Sequence, residues 1–248
     1  MSRGIADIAP ARLLLLNNGS VASATLTEGL AIDFAQLLAA AVPGITTSGL
    51  ERMCAQAAGG ITKRMALAAQ LLLDANADLA LLQAHPSDTV RGWACFAIAA
   101  QVGLSLPQQL AAMRPLADDN HFGVREWAWL ALRPHLAANL DEAISLLAQW
   151  TADPSERVRR FACEALRPRG VWCAHIARLK EQPQLALPVL QPLRADPAVY
   201  VQDSVANWLN DAAKSQPDWV RSLCAQWLLE SPAATTKRIC QRALRSLS

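Results

Sequence analysis

The sequence predicts an all-α fold, a single curved solenoid of stacked helix pairs covering residues 1–248. Three observations predict it. Hydrophobic residues form 52% of the chain and are carried by Ala and Leu, while aromatics contribute only 5%, a balance that favours helices over strands. At 248 residues the chain is long for one compact core but ordinary for a repeat array. Finally, one short segment recurs four times through the middle and end of the chain.

The copies are HPSDTVRGWACFAIA at 85–99, NHFGVREWAWLALRP at 120–134, DPSERVRRFACEALRP at 153–168 and DPAVYVQDSVANWLND at 196–211. Their anchoring valines, Val90, Val124, Val158 and Val201, are separated by 34, 34 and 43 residues, a period that signals stacked helix pairs. Each copy opens with a polar turn, such as Pro86-Ser87-Asp88, Pro154-Ser155 or Pro197, and runs into apolar residues at helical spacing. It is therefore the second helix of a pair. The stretches 107–117, 141–151 and 184–194 read as first helices, because Leu, Ala and Ile recur three and four apart between Pro or Asn. Upstream of residue 84 the copies fade, yet 26–41 and 62–75 keep a strong helical pattern, and 232–247 reads as a basic helix closing the array. Roughly six or seven pairs in one right-handed arc follow, with the second helices lining its concave face.

Charge and cysteine usage narrow the class. Net charge is +2, distributed as six basic and seven acidic residues over 1–113 against 17 and 14 over 114–248. The basic excess is small, so only its placement can matter. The six cysteines are scattered through apolar patterns with no CxxC pair, which fits a reducing cytoplasm. No apolar run approaches the roughly 18 residues of a membrane span, and Leu13 to Leu16 is followed by two Asn, so a soluble, unexported protein is expected.

Counting from each anchoring valine, the second following position holds Gly92, Glu126, Arg160 and Asp203, and the sixth holds Phe96, Leu130, Glu164 and Asn207. The later copies are therefore polar on this face. Arg160 and Glu164 are four apart, as are Asp203, Asn207 and Asp211, so each set forms a stripe along one side of a helix. Taken alone, such stripes are better explained by surface ion pairing than by chemistry. The register across neighbouring repeats and the nearby Trp127, Trp129, Trp172 and Trp208 bring the functional reading level with it. Trp93, Trp150, Trp219 and Trp227 are assigned to packing. Trp172, closing the turn RPRGVW at 167–172, is the better candidate for stacking against a cationic ring, with Trp208 second. Arg91, Arg125 and Arg159 directly follow the repeat valines, Arg167 and Arg169 flank Pro168, and Lys214, Arg221, Lys237, Arg238, Arg242 and Arg245 crowd the C-terminal helices. Charge spaced along a path in this way suits a phosphate backbone.

Several chemistries lack their machinery. Cys173-Ala174-His175 has no second pair at metal-ligand spacing, so no metal site is expected. There is no glycine-rich phosphate loop, and Gly59-Gly60 reads as a helix break. No GxSxG elbow is present, and His85, His121, His135 and His175 lie at turns or helix ends without an obvious Ser or Cys partner.

The segments VREWAWLALRP, WTADPSERVRRFACEALRPRGVW and YVQDSVANWLNDAAKSQPDW resemble the bacterial AlkC/AlkD-type DNA alkylation repair proteins, built of HEAT-like repeats, and most of all the AlkC branch. The likeness is strong over 84–248 and weak over 1–83. It implies a monofunctional DNA N-glycosylase that excises cationic alkylated bases, typified by 3-methyladenine, from double-stranded DNA without metal or cofactor. By motif the catalytic carboxylates fall on Glu126 in VREWAW, Glu164 in VRRFACE and Asp211 in NWLND, with Arg160 as their neighbour. Some AlkC-like proteins carry an immunoglobulin-like domain after the repeats, and the protein implied here is expected to lack it. The implied protein is a cytoplasmic, nucleoid-associated monomer. In the implied chemistry one of Glu164 and Asp211 stabilises an oxocarbenium-like sugar while the other orients water, and both are expected to be dispensable for folding. With no lysine among the acids, a Schiff-base step is not expected. Two alternatives stay open: a non-catalytic DNA-binding repeat protein that recognises bent, branched or damaged DNA by shape, and a scaffold for a partner protein.

Overall fold

The computed structural model describes residues 4–170 and 172–247. Among these residues there are sixteen α-helices and no strand. The contact pattern divides the chain between Ala131 and Leu132 into two compact units, each described by itself. The first holds α1 (Pro10–Asn17), α2 (Leu26–Ala31), α3 (Phe34–Ala41), α4 (Thr47–Ala55), α5 (Ile61–Asp74), α6 (Leu79–Gln83), α7 (Asp88–Ala100), α8 (Leu106–Ala117) and the first part of α9 (Phe122–Ala138). The second holds the rest of α9 with α10 (Leu140–Trp150), α11 (Glu156–Glu164), α12 (Ala177–Glu181), α13 (Leu187–Leu190), α14 (Val199–Ala213), α15 (Pro217–Glu230) and α16 (Ala234–Ala243). No helix among the described residues is long and apolar enough to cross a membrane.

The four repeated segments form α7, α9, α11 and α14, and their anchoring valines Val90, Val124, Val158 and Val201 are fully buried. The first helices expected at 107–117 and 141–151 are α8 and α10. Two expectations change. The stretch 26–41 is broken at Ile32, whose backbone is extended, because Asp33 accepts hydrogen bonds from the amides of Ala35 and Gln36 and starts a new helix. The stretch 184–194 is a 3-10 turn, Pro183–Ala186, followed by the single turn α13, since Pro183 and Pro188 each lack the amide that a continuous helix needs.

The residue after each valine carries a repeated device. Arg91 donates to the carbonyls of His85 and Pro86, Arg125 to those of Asp119 and Asn120, Arg159 to those of Asp153 and Pro154, and Gln202 to those of Asp196 and Pro197. Each side chain thus reaches back five and six residues to clamp the turn that opens its own helix. Arg91 and Arg159 also make two-pronged pairs with Asp119 and Asp196, the acids of the following repeat, at 2.8 and 2.7 Å. Those same acids accept from the amides of His121 and Ala198, setting the next helix start. Clamp and turn therefore lock successive repeats together.

In the first unit, Asp88 at the start of α7 is buried and accepts from both the amide and the hydroxyl of Ser23, while His121 contacts the Ser23 carbonyl at 2.6 Å. His121 therefore does have Ser and Asp neighbours. However, the Ser23 hydroxyl is spent on Asp88 rather than on the imidazole, which is the geometry of a strap and not of an activated nucleophile. Gly92 is required by close approach: a Cβ there would stand 2.7 Å from Cδ1 of Trp127 and 2.9 Å from Cε of Met65. Trp93 and Trp227 are fully buried and Trp150 and Trp219 half-buried, in packing positions.

Candidate active site

The second unit gathers Glu164 and Asp211 around one guanidinium. Arg167 donates from Nη1 to Glu164 at 2.7 Å, and from Nε and Nη2 to Oδ2 of Asp211 at 2.9 and 2.7 Å. The fold makes this possible because α11 ends at Glu164, so Arg167 lies just past the helix end, where its side chain can turn toward α14. The outer oxygens are held too. Ser204 donates its hydroxyl to Oε2 of Glu164 at 2.6 Å, and Lys214 donates to Oδ1 of Asp211 at 3.1 Å. Arg160 stands 3.7 Å from Glu164 and stacks over the Tyr200 ring at 4.4 Å. Both acids are only 4% exposed. Burial works against ionisation of Glu164, but the charges of Arg160 and Arg167 and the hydrogen bonds from Ser204 and Arg167 outweigh it and hold its carboxyl below the usual range. Burial likewise opposes the Arg167 charge, and the two acids overcome it and raise its pKa.

Three of the four expected catalytic residues, Arg160, Glu164 and Asp211, are thus brought together. Glu126 belongs to the other unit, where it accepts a hydrogen bond from the indole of Trp129 at 2.8 Å. Three corrections follow. Lys214 does sit among the acids; held by Asp211, it is placed as an ammonium donor, not as a free amine nucleophile. Trp208 is fully buried, donates its indole N–H to the Leu166 carbonyl and packs near Trp219, so it is core and not a base contact. Glu164 and Asp211, buried with partners, are not free of structural cost when changed.

The basic residues divide by environment. Arg91, Arg125 and Arg159 are the turn clamps described above. The phosphate-tracking role expected of them gives way to a structural one, because their donors already face backbone carbonyls and, for Arg91 and Arg159, a carboxylate. Arg167 is likewise turned onto the two acids. Arg169 donates to Ser215, and Arg238 and Arg242 both pair with Asp203, at 2.7 and 3.1 Å. Arg221 pairs with Asp218 at 3.3 Å, and Lys237 is exposed on α16. Trp172 is 54% exposed, with φ of 61°, on the loop between α11 and α12. Val171 lies outside the described residues.

Comparison with known proteins places this arrangement. Residues 75–167 match HEAT repeats, and residues 124–239 match the DNA alkylation repair enzyme family. The chain thus resembles the DNA alkylation repair enzyme family over 116 of its 248 residues. It is similar to the alkylpurine DNA glycosylase AlkC of Pseudomonas fluorescens, solved bound to DNA containing an abasic site analog, with 30% identity and a TM-score of 0.67 over 86% of this chain and 60% of that one. AlkD2 of Streptococcus mutans, at 23% identity and a TM-score of 0.57 over 79% of this chain and 87% of that one, shares the fold. The uncharacterized protein YhaZ of Bacillus subtilis is 40% identical over 80 residues, 32% of this chain and 22% of that protein. The chain therefore spans less than two thirds of the length of AlkC and of YhaZ.

The family match covers the whole acid cluster, from α11 to α14. Sequence reasoning had placed Arg167 among DNA contacts and missed Ser204 and Tyr200. It also passed over Arg133, which is 2% exposed and donates to the carbonyls of Ala165, Arg167 and Ala174. Burial pushes the Arg133 pKa down. The signal for Arg133 was present: it precedes a proline in its repeat as Arg167 does in the next. Chemically, the cluster offers fixed negative charge with its oxygens oriented from both sides, surrounded by cations that lessen its repulsion of an anionic ligand.

Proposed function

We propose that this protein is a monofunctional DNA N-glycosylase that excises cationic alkylated bases such as 3-methyladenine from duplex DNA, acting as a monomer in the cytoplasm on nucleoid DNA. The observation that carries the reading is the convergence of Glu164 and Asp211, far apart in sequence, on Arg167. Alkylation makes the base a cation, so the bond between N and C1′ breaks with its electron pair leaving on the base, which departs neutral. The sugar becomes oxocarbenium-like. A preorganised carboxylate stabilises that charge, and a second carboxylate orients water onto C1′ and takes its proton. Glu126 enters the proposal by its motif. Trp172, exposed beside this chemistry in sequence, offers a π face that favours a cationic base over a neutral one. Lys237, Arg169, Arg242 and Arg221 are proposed to meet phosphates. The likeness over 86% of this chain to AlkC, solved bound to DNA containing an abasic site analog, supports DNA as the partner.

The near-complete burial of both acids favours a second reading, in which they only brace a non-catalytic DNA-binding array. Single-turnover excision from methylated DNA separates the two. Glu164→Gln and Asp211→Asn, kept below their melting temperatures, are expected to lose about 10²-fold in rate, the usual scale for one preorganised electrostatic group. Affinity for abasic-site DNA should hold or rise. Wild-type rates in both variants would overturn the catalytic assignment, and a wild type that releases no base would favour the bracing array.

A further inference from the structure

We infer that Arg133 is a positioning residue for this excision chemistry: one buried guanidinium fixes both the helix end that carries Glu164 and Arg167 and the loop that carries Trp172. The inference rests on the glycosylase reading above. Arg133 projects from α9 and spends its planar fork on three carbonyls, with Nη1 donating to Ala165 at 2.9 Å, Nη2 to Arg167 at 2.6 Å and Nε to Ala174 at 3.2 Å. Ala165 immediately follows Glu164, and the second acceptor is the backbone of Arg167 itself, so any shift of the fork moves both members of the ion pair. Helix α11 stops at Glu164, and the carbonyls of Phe161, Cys163 and Glu164 accept from the amides of Ala165, Leu166 and Arg167. The carbonyls just past the helix end, those of Ala165 and Arg167, take side-chain donors from Arg133, on a different helix.

The third bond reaches across the loop. Residues 168–175 are closed by the Ile176 amide donating to the Pro168 carbonyl at 3.1 Å, and a side chain at Gly170 would collide with the sulfur of Cys173 and stand 3.5 Å from the Arg133 guanidinium. Within this loop Trp172 holds a left-handed backbone, φ 61°, which residues with a Cβ rarely adopt, and still projects 54% exposed. An aromatic kept outward in a disfavoured conformation requires firm anchors on either side. Ala174, two residues on, is bonded to Arg133, and Arg167 lies at the other end of the loop.

A single-turnover assay on methylated duplex DNA, paired with binding to abasic-site DNA and thermal melts, tests this in a double-mutant cycle of Arg133→Lys and Trp172→Ala. Lysine keeps the charge but lacks the planar fork whose three separate nitrogens reach these carbonyls. Arg133→Lys is expected to remain folded, keep its abasic-site affinity and lose roughly ten- to a hundredfold in excision rate, the scale of an ångström-level misplacement. The double variant should be no slower than the worse single one. Multiplying effects, or wild-type rates in Arg133→Lys, would overturn the inference while leaving the glycosylase reading intact. A wild type that releases no base overturns that reading, and this one with it. If Arg133→Lys does not fold, Arg133→Ala with low-millimolar guanidinium ion replaces it: recovered rate supports positioning, and a folded, saturated protein without recovery refutes it.

Discussion

Replacing Arg167 by Met is the perturbation to which the acid cluster should respond most. The side chains of Glu164 and Asp211 are 5% and 6% exposed and that of Arg167 17%, so solvent screens the network little. Removing the cation deletes one hydrogen bond to Glu164 and two to Asp211. Breaking a buried ion pair from one side costs about 3–5 kcal/mol, because the remaining charge is stranded. Here Glu164 keeps Ser204 and the more distant Arg160, and Asp211 keeps Lys214, which places the expected loss near the lower end, about 3 kcal/mol at pH 7. The sign of the pH dependence follows from Glu164. Its folded pKa lies below the unfolded value, so in the wild type it contributes stability above the unfolded pKa, and that contribution fades as pH falls through the folded one. Without Arg167, burial still opposes ionisation while only Arg160 and Ser204 offset it, so the carboxyl moves up from its wild-type position and protonation costs the variant less. Urea unfolding should therefore show a gap between wild type and Arg167→Met that is largest near neutrality and narrows below about pH 4.5. A gap under about 1 kcal/mol at pH 7, or one that does not narrow in acid, would refute the buried-network account.

Arg159→Ala should cost about 2–3 kcal/mol of stability, since it strands Asp196 and two turn carbonyls, and should leave the slope of log affinity against log salt for duplex DNA unchanged. Lys237→Ala should do the reverse, flattening that slope by roughly one unit with little change in melting temperature; salt titrations and melts on both variants check the pair. Trp172→Ala should slow release of 3-methyladenine while melting like the wild type, because its side chain is largely exposed, and should narrow the preference for 3-methyladenine over a neutral lesion such as hypoxanthine. Chromatography of the released bases measures both, and an unchanged ratio would remove Trp172 from base recognition.

Most of the fold was legible because repeat packing writes itself into the sequence. A position that must be fully buried at every turn of the array admits only residues such as valine, and Val90, Val124, Val158 and Val201 show it. What periodicity could not show was the break at Ile32, where apolar spacing continues but Asp33 caps a new start, and the fragmentation around Pro183 and Pro188. The arginines after the valines were misread for a different reason. A guanidinium serves a phosphate and a pair of carbonyls equally well, so composition does not distinguish them. The discriminating residue was Gln202. It occupies the register of Arg91, Arg125 and Arg159 without charge and makes the same two carbonyl contacts, so the position requires donors and not a cation.

The same comparison, applied nine positions after each valine, isolates what is special about the candidate site. That register holds Ala99, Arg133, Arg167 and Asn210. Arg133 spends its donors on the carbonyls of Ala165, Arg167 and Ala174, and Asn210 donates to the carbonyl of Ala243 and the hydroxyl of Ser246, so in both repeats the side chain secures the end of a neighbouring helix or the loop beyond it. Arg167 sits between them in the series, less deeply buried and with a guanidinium of its own, yet its bonds go to two carboxylates, one in its own repeat and one in the next. Backbone carbonyls need donors in any stable repeat, whereas two acids brought into a nearly dry interior create a cost that the scaffold did not require. A residue diverted from the scaffold's task in order to hold such a pair is where structural necessity ends in this unit, and that places Glu164, Arg167 and Asp211 apart from the ion pairs that merely fasten one repeat to the next.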